Sequence, residues 1–101
     1  MITRIWHGYT KPENAQAYQQ LLTSKILPGI HRVQGYRGSY LLRKDSPGEV
    51  EFVTLTLWES MDAIREFAGD DYEVAVVPPE AQALLARFDA RSVHYETVVC
   101  P

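Results

Sequence analysis

β-branched and aromatic residues crowd Ile2 to Tyr9, which predicts a first strand. A helical spacing takes over after it. Ala15, Tyr18, Leu21, Leu22 and Ile26 recur on one face, with Gln16, Gln19 and Gln20 on the other. Thr10 reads as the N-cap of this helix, Glu13 completes a Thr-x-x-Glu capping box, and Pro12 falls in the first turn, where its missing N–H costs nothing. Pro28-Gly29 predicts the end of the helix.

Gly35 and Gly38 punctuate a turn before a second strand, Ser39 to Lys44. Asp45-Ser46-Pro47-Gly48 is a turn signal, and Glu49 to Trp58 is a third strand, so the two strands form a hairpin. Ser60 caps a short helix through Met61, Ile64, Phe67 and Ala68, which Gly69 ends. Tyr72 to Val77 fits either helix or extended chain. Pro79 opens a further helical stretch with Ala81, Leu84, Leu85 and Phe88 on one face, and Arg91 to Val99 is the last strand. The order is that of an α+β, ferredoxin-like β-α-β-β-α-β fold. Its antiparallel sheet has the strand order 4-1-3-2, with the helices on one face. Residues 1–101 form a single domain.

The last strand then runs antiparallel to the first. Aligning their midpoints places His7 opposite His94 on one face and Trp6 opposite Tyr95 on the other. The same alignment of the third strand puts Trp58 beside Ile2, at the far end of the sheet from the two histidines.

A chain of 101 residues builds one small core, with little room for an internal ligand cavity unless a second copy contributes. The net charge of −3 and the scattered Lys and Arg give no basic footprint for nucleic acid. The same balance argues against an anionic membrane surface. No apolar stretch has the length of a signal peptide or a membrane span. Cys100 is the only cysteine, so no internal disulfide is available, and a reduced, cytoplasmic setting is expected.

The element order, "PGIHRVQGYRGSYLL", "LTLWESMDAIREFAG" and the closing "VHYETVV" resemble the antibiotic biosynthesis monooxygenase family. The resemblance implies a dimeric α/β barrel, two sheets packed face to face with helices outside. That would bury a second sheet face bearing Trp6, Tyr40 and Tyr95. It also implies diverse activities: cofactor-free oxidation of phenolic polyketides in some members, haem degradation in others. Haem degraders carry an Asn on the first strand, a Trp in the helix after the third strand and an axial His shortly beyond. Here Phe67 occupies the Trp position, and Tyr72 to Val77 contains no histidine. No cofactor is therefore expected.

Two readings of His7 and His94 stand side by side: a hydrogen-bonded pair within the sheet, or a general base with an imidazole poised near neutral pH. In either case their proximity predicts that at least one titrates below about 6.5. His31 reads as an exposed residue of a polar turn. Glu96 shares a strand face with His94, but two His and one Glu at this spacing make no convincing metal set. Trp58, Phe67 and Tyr72 are the aromatic candidates for contacting a substrate, although each also suits packing. No GxGxxG, P-loop or nucleophile motif is present.

The resemblance implies a homodimer with a small-molecule ligand. As an enzyme it would be a cofactor-free monooxygenase acting on a small electron-rich aromatic or enolic compound. His94, or secondarily His7, would remove a proton so that the substrate anion reduces dioxygen. The competing reading is a non-catalytic binding or stress-related protein on the same fold. A convergent polar cluster in the pocket favours the enzyme; a pocket filled by Phe67, Val77 and Leu84 favours the binder.

Overall fold

Strand β1, Ile2–Thr10, lies between two neighbours, and its alternation divides the molecule into two sides. In the computed structural model, which describes residues 1–101, Arg4, Gly8 and Thr10 are buried beneath the helices. The odd positions Thr3, Ile5, His7 and Tyr9 lie on the other face. Strand β3, Glu49–Trp58, pairs with β1 so that Ile2 stands opposite Trp58 and Thr10 opposite Val50. That is the expected Trp58 register. Strand β2, Tyr36–Ser46, completes the hairpin on the outer side of β3 and runs two residues further than the turn signal suggested. Gly48, at φ 79°, makes the connection.

Helix α1, Pro12–Leu21, runs into a π turn at Leu22–Ile26 and then α2, Leu27–Ile30. The capping box does not form. Lys11 is the N-cap and no side chain caps the helix, because Thr10 remains in β1 with its hydroxyl buried and unpartnered. Nor does the helix stop at Pro28. The N–H of Leu27 reaches back to the carbonyl of Leu22, and this widened turn lets the run pass a residue that has no N–H to give. The π turn has a second consequence. Tyr18, Leu22, Ile26 and Ile30 recur every four residues, a spacing that drifts by about 40° per step around a regular α-helix. The wider turn offsets the drift and keeps all four over the sheet.

Helix α3, Met61–Ala68, begins at Ser60, whose hydroxyl accepts from the N–H of Ala63 at 3.2 Å, and ends at Gly69 as its sequence indicated. Ahead of it, Gly35 lies so close to α3 that a Cβ there would sit 2.5 Å from the Cβ of Ala63. Helix α4, Pro79–Leu84, is shorter than expected. From Leu85 the chain is extended, and β4, Leu85–Phe88, pairs with Gly8–Thr10 of β1. The predicted last strand shortens to β5, Val93–Glu96, which pairs with Ile2–Ile5. Two short strands thus satisfy one edge of β1 in place of a single long one. The sheet order is β2-β3-β1-β4, with β5 also on β1, so the expected order holds with its last strand split.

This split corrects the histidine pairing. Asp89 to Ser92 cross from β4 to β5, bonding residues 73–75 on the way, so the last strand reaches β1 three residues out of the expected register. His94 stands opposite Arg4, and His7 stands opposite Val53 on β3. An odd slip exchanges faces. The two histidines lie on opposite sides of the sheet. Tyr95 likewise pairs with Thr3 rather than Trp6, and Trp6 turns toward the helices instead of joining the second face.

On the helix side, Tyr18 meets Phe52 edge-on at 4.9 Å, and Ala15, Leu22, Leu27, Val50 and Ala81 complete one cluster. A second gathers around Trp58, which stacks on Phe67 at 5.3 Å and meets Tyr36 edge-on at 5.7 Å. No helix is long and apolar enough to cross a membrane.

Candidate functional site

Between the two clusters the helices do not close on the sheet. The gap is a narrow one: about 60 Å³ of it could hold solvent-sized groups, well below the usual size of small-molecule sites, although it opens at its mouth to the surface. Tyr18, Leu22, Ile26 and Ile30 line it from above, and Phe67 and Val77 stand at its sides. The sheet supplies the polar floor: Arg4 and Trp6 from β1, Thr54 and Thr56 from β3, with Ser92 just before β5. Val76, nearly half exposed, belongs to the rim.

Arg4 is the unusual member. It is only 4% exposed, and no carboxylate forms an ion pair with it. One Nη1 donates to the carbonyl of Tyr72 and, at 2.9 Å, to Nε2 of His94; Nη2 donates to the carbonyl of Val74 at 3.2 Å. The guanidinium also lies 5.6 Å above the ring of Phe67. Burial lowers its pKa from 12.5 to about 10, so it keeps its charge at neutral pH. A buried charge without a counter-ion is costly, and hydrogen bonds to neutral acceptors offset only part of that.

The Thr54 hydroxyl is buried on the same floor with no partner. Thr56 accepts from Nε1 of Trp58 at 2.8 Å, which leaves its own O–H free to donate. Trp6 bonds its Nε1–H to the carbonyl of Asp89 at 2.7 Å and turns its ring to the cavity.

His94 sits behind Arg4 and lines a shallow groove with Tyr72, Glu73 and Ser92; Ser92 also lines the cavity. Tyr72 meets the imidazole edge-on at 5.2 Å. Arg4 can only donate, so Nε2 of His94 is the acceptor and the ring proton resides on Nδ1. Burial, and then the neighbouring Arg4 charge, lower the His94 pKa below 6.5, against a smaller opposing effect of Glu73. The direction is the expected one at this histidine, but its causes are burial first and Arg4 second, not His7.

The sign of the linkage follows. The folded state resists protonating His94, so its contribution to stability is present above about pH 6.5 and is lost as pH falls through the lower folded value. An NMR titration should show His94 below 6.5 in the wild type and nearer 6.5 in Arg4→Met. A His94 that titrates identically in both would contradict the contact.

His7 bonds Glu51 through Nδ1 at 3.0 Å on the opposite face and reaches none of this. His31 is exposed and stacks on Tyr36 at 4.8 Å. Of the aromatic candidates, Phe67 lines the cavity, Tyr72 contributes its carbonyl to Arg4 and its ring to the His94 groove, and Trp58 is wholly buried in the core. No group of three or more His, Cys, Asp or Glu is arranged to hold a metal ion, and Glu96 does not join His94 in one.

Arg4, Thr54 and Trp6 carry most of the cavity's chemistry, and sequence reasoning passed over them. One signal was available. In "ITRIWHGY" Arg4 occupies the same strand face as Ile2 and Trp6, where a solvated arginine has no place.

The family profile of antibiotic biosynthesis monooxygenases matches residues 1–75. The chain belongs to that family. Solved structures with the same fold include a family protein from Bacillus cereus, at TM-score 0.68 and 17% identity over 100% of this chain and 94% of that one. The haem degrader MhuD of Mycobacterium tuberculosis matches at TM-score 0.62 and 17% identity, over 100% and 99% of the two chains. The ActVA-Orf6 monooxygenase of Streptomyces coelicolor, in complex with nanaomycin D, matches at TM-score 0.61 and 18% identity, over 99% and 91%. At these identities the likeness establishes the fold. No curated protein matches by sequence.

The family's haem-degrading branch raises the question of fit. None of the three histidines lines the cavity: one is across the sheet, one stacks on Tyr36 at the surface, and one is bonded to Arg4 in the adjoining groove. The residues present therefore offer a haem in this cavity no axial imidazole.

Proposed function

We propose that this family member binds a small electron-rich aromatic or enolic compound in the cavity and oxidises it as a cofactor-free monooxygenase. The observation that carries the reading is a mostly apolar cavity whose floor gathers Arg4, Thr54, Thr56 and Ser92. Phe67 and Val77 line the space, and Leu84 packs into the neighbouring cluster.

In this scheme the substrate's hydroxyl group reaches from the cavity past Ser92, which lines both spaces, and His94 takes its proton from the adjoining groove. Its neutral form, with Nε2 already turned toward Arg4, is the state a base requires. The resulting anion reduces dioxygen, and the two radicals combine at the para carbon. Loss of that carbon's hydrogen with cleavage of the O–O bond releases water. For 1-naphthol the balance is one dioxygen consumed, with one 1,4-naphthoquinone and one water formed. The apolar walls exclude bulk water from the intermediate.

The open face of the sheet supports a homodimer. Tyr40, Leu42, Val93 and Tyr95 are each about half exposed there, around Ile5, Val53, Leu55 and Leu57. A continuous apolar face of this kind marks an interface. We propose that two chains pack sheet to sheet and leave the helix-side cavities outside.

One observation favours a non-catalytic binding protein instead: the Nε2 lone pair of His94 is already engaged by Arg4. Oxygen uptake with 1-naphthol after exhaustive chelation separates the two readings. The expected result is enzyme-dependent naphthoquinone, one per dioxygen, with the rate reduced about 10²- to 10⁴-fold in His94→Asn. Binding without uptake, or uptake unchanged in His94→Asn, would contradict the catalytic scheme.

A further inference from the structure

The cavity as it stands is smaller than an aromatic ligand needs. About 60 Å³ of it could hold solvent-sized groups, against roughly 300–1,000 Å³ in usual small-molecule sites. A ligand enters only if a wall moves. A groove of about 290 Å³ adjoins the cavity at the surface, and the two share Ile26, Ile30, Phe67, Val76 and Pro78. Of these five, Val76 and Pro78 alone lie outside helix and strand. An outward shift of the chain that carries them merges the two spaces.

That chain is lightly held. No residue from Gly69 to Glu80 is buried, and segments so poorly anchored open at low cost. Gly69, at φ 90°, begins the stretch, and the Pro78-Pro79 pair ends it at α4. The N–H groups of Val76 and Val77 have no backbone partner. Two backbone bonds tie the segment to the crossing between β4 and β5. Ala75 donates to the carbonyl of Ala90 at 2.9 Å, and Ser92 donates to that of Glu73 at 2.7 Å. Arg91 adds exposed pairs to Asp71 and Glu73, which contribute little. Arg4 clasps the segment from beneath, donating to the carbonyls of Tyr72 and Val74. Opening lets water reach a guanidinium that the closed state keeps from both solvent and counter-ion, which offsets the lost carbonyl bonds.

We infer that residues 70–78 form a lid over the cavity, held shut by the Arg4 clasp and opened to admit the ligand. This rests on the proposed use of the cavity as the ligand site. The ligand it fits is larger than the closed space, a flat apolar body that occupies the cavity and the adjoining groove together. Arg4 is here a positioning residue, acting through the lid rather than on the reacting atoms.

Hydrogen exchange followed by NMR reads the lid without any ligand. The amides of Ala75 and Ser92 should lose protection together, at least 100-fold sooner than the amides that join β1 to β3. Arg4→Met should widen that difference about tenfold. Val74 and Arg91 face each other as a non-hydrogen-bonded antiparallel pair, a spacing of about 4.5 Å that a disulfide can bridge. In a Cys100→Ser background, oxidised Val74→Cys/Arg91→Cys should raise protection at Ala75 and Ser92. Stopped-flow binding of 1-naphthol without oxygen should slow at least tenfold in the oxidised form and recover on reduction. It should quicken several-fold in Arg4→Met, which a purely structural role of Arg4 would not produce.

Ala75 and Ser92 amides that exchange only together with the β1–β3 ladder would overturn the lid. So would naphthol association that is equally fast in the oxidised and reduced forms. The outcome is separable from the proposed ligand site. Lid opening without naphthol binding removes the ligand site and leaves the lid, whereas naphthol binding to a protein whose lid stays shut removes the lid alone.

Discussion

Trp58→Ala lowers the stability of the fold by about 3–5 kcal/mol, on the scale of large aromatic truncations in cores. The side chain has no exposed surface and stacks on Phe67 at 5.3 Å, while Tyr36 closes it edge-on at 5.7 Å. It joins the end of β3 to α3 through Ile64 and Ala63. Removing it opens a void at the junction and deprives the Thr56 hydroxyl of its donor at the edge of the cavity floor. Total stabilities of small domains are only about 5–15 kcal/mol, so the variant is close to unfolding at 25 °C. Trp58→Phe keeps most of the packing and loses the N–H bond, for a smaller loss of about 1–2 kcal/mol. Urea unfolding followed by circular dichroism measures both. A loss under about 1 kcal/mol for the alanine variant would mean that Trp58 is not the keystone of its cluster.

Leu55→Arg should dissociate the proposed dimer without unfolding the chain. Leu55 stands opposite Ile5 on one side and Tyr40 on the other, in the middle of the open face. An arginine there would carry an unpaired charge into a sheet-to-sheet contact, a penalty of several kcal/mol that corresponds to at least a 100-fold weaker association. The substitution points away from the helices, so circular dichroism should be unchanged. Sedimentation should give twice the 11.5 kDa chain mass for wild type at micromolar concentration and a single chain for the variant. A wild-type monomer, or a variant that stays dimeric, would contradict the interface.

Local patterning made most of the fold legible. The Ser60 cap, the Gly69 stop, the Pro47-Gly48 connection and the Ile2–Trp58 register follow from short-range chemistry and from alternation on a half-buried sheet. The failures occurred where a tertiary demand overrode a local preference. Leu84, Leu85 and Phe88 have helical spacing, yet the unpaired edge of β1 at Gly8–Thr10 draws Leu85–Phe88 into a strand. That diversion takes up chain, shifts the last strand by three residues and separates His7 from His94. Thr10 had the right residue type for a cap, but β1 keeps it. At Pro28 the π turn supplies what a regular helix cannot, and no residue pattern announces a π turn.

The candidate site was less legible than the fold, for a related reason. Its chemistry depends on what a side chain lacks: a carboxylate for Arg4 and a partner for Thr54. Neither deficit belongs to the residue alone. Each appears only once strands and helices enclose it. His94 was singled out for a partner it does not have, and it proves to adjoin the cavity through Arg4.

The central claim is that the ligand occupies the helix-side cavity over Arg4 rather than the face bearing His7. Methyl NMR of the protein titrated with 1-naphthol under anaerobic conditions tests this directly, because turnover is prevented and the two faces carry different methyl groups. The expected result is saturable shifts at Ile26, Thr54, Val77 and Ala81, with Ile5, Leu55 and Val93 unmoved. Saturable shifts at Ile5, Leu55 and Val93 while the first group stays still would contradict it.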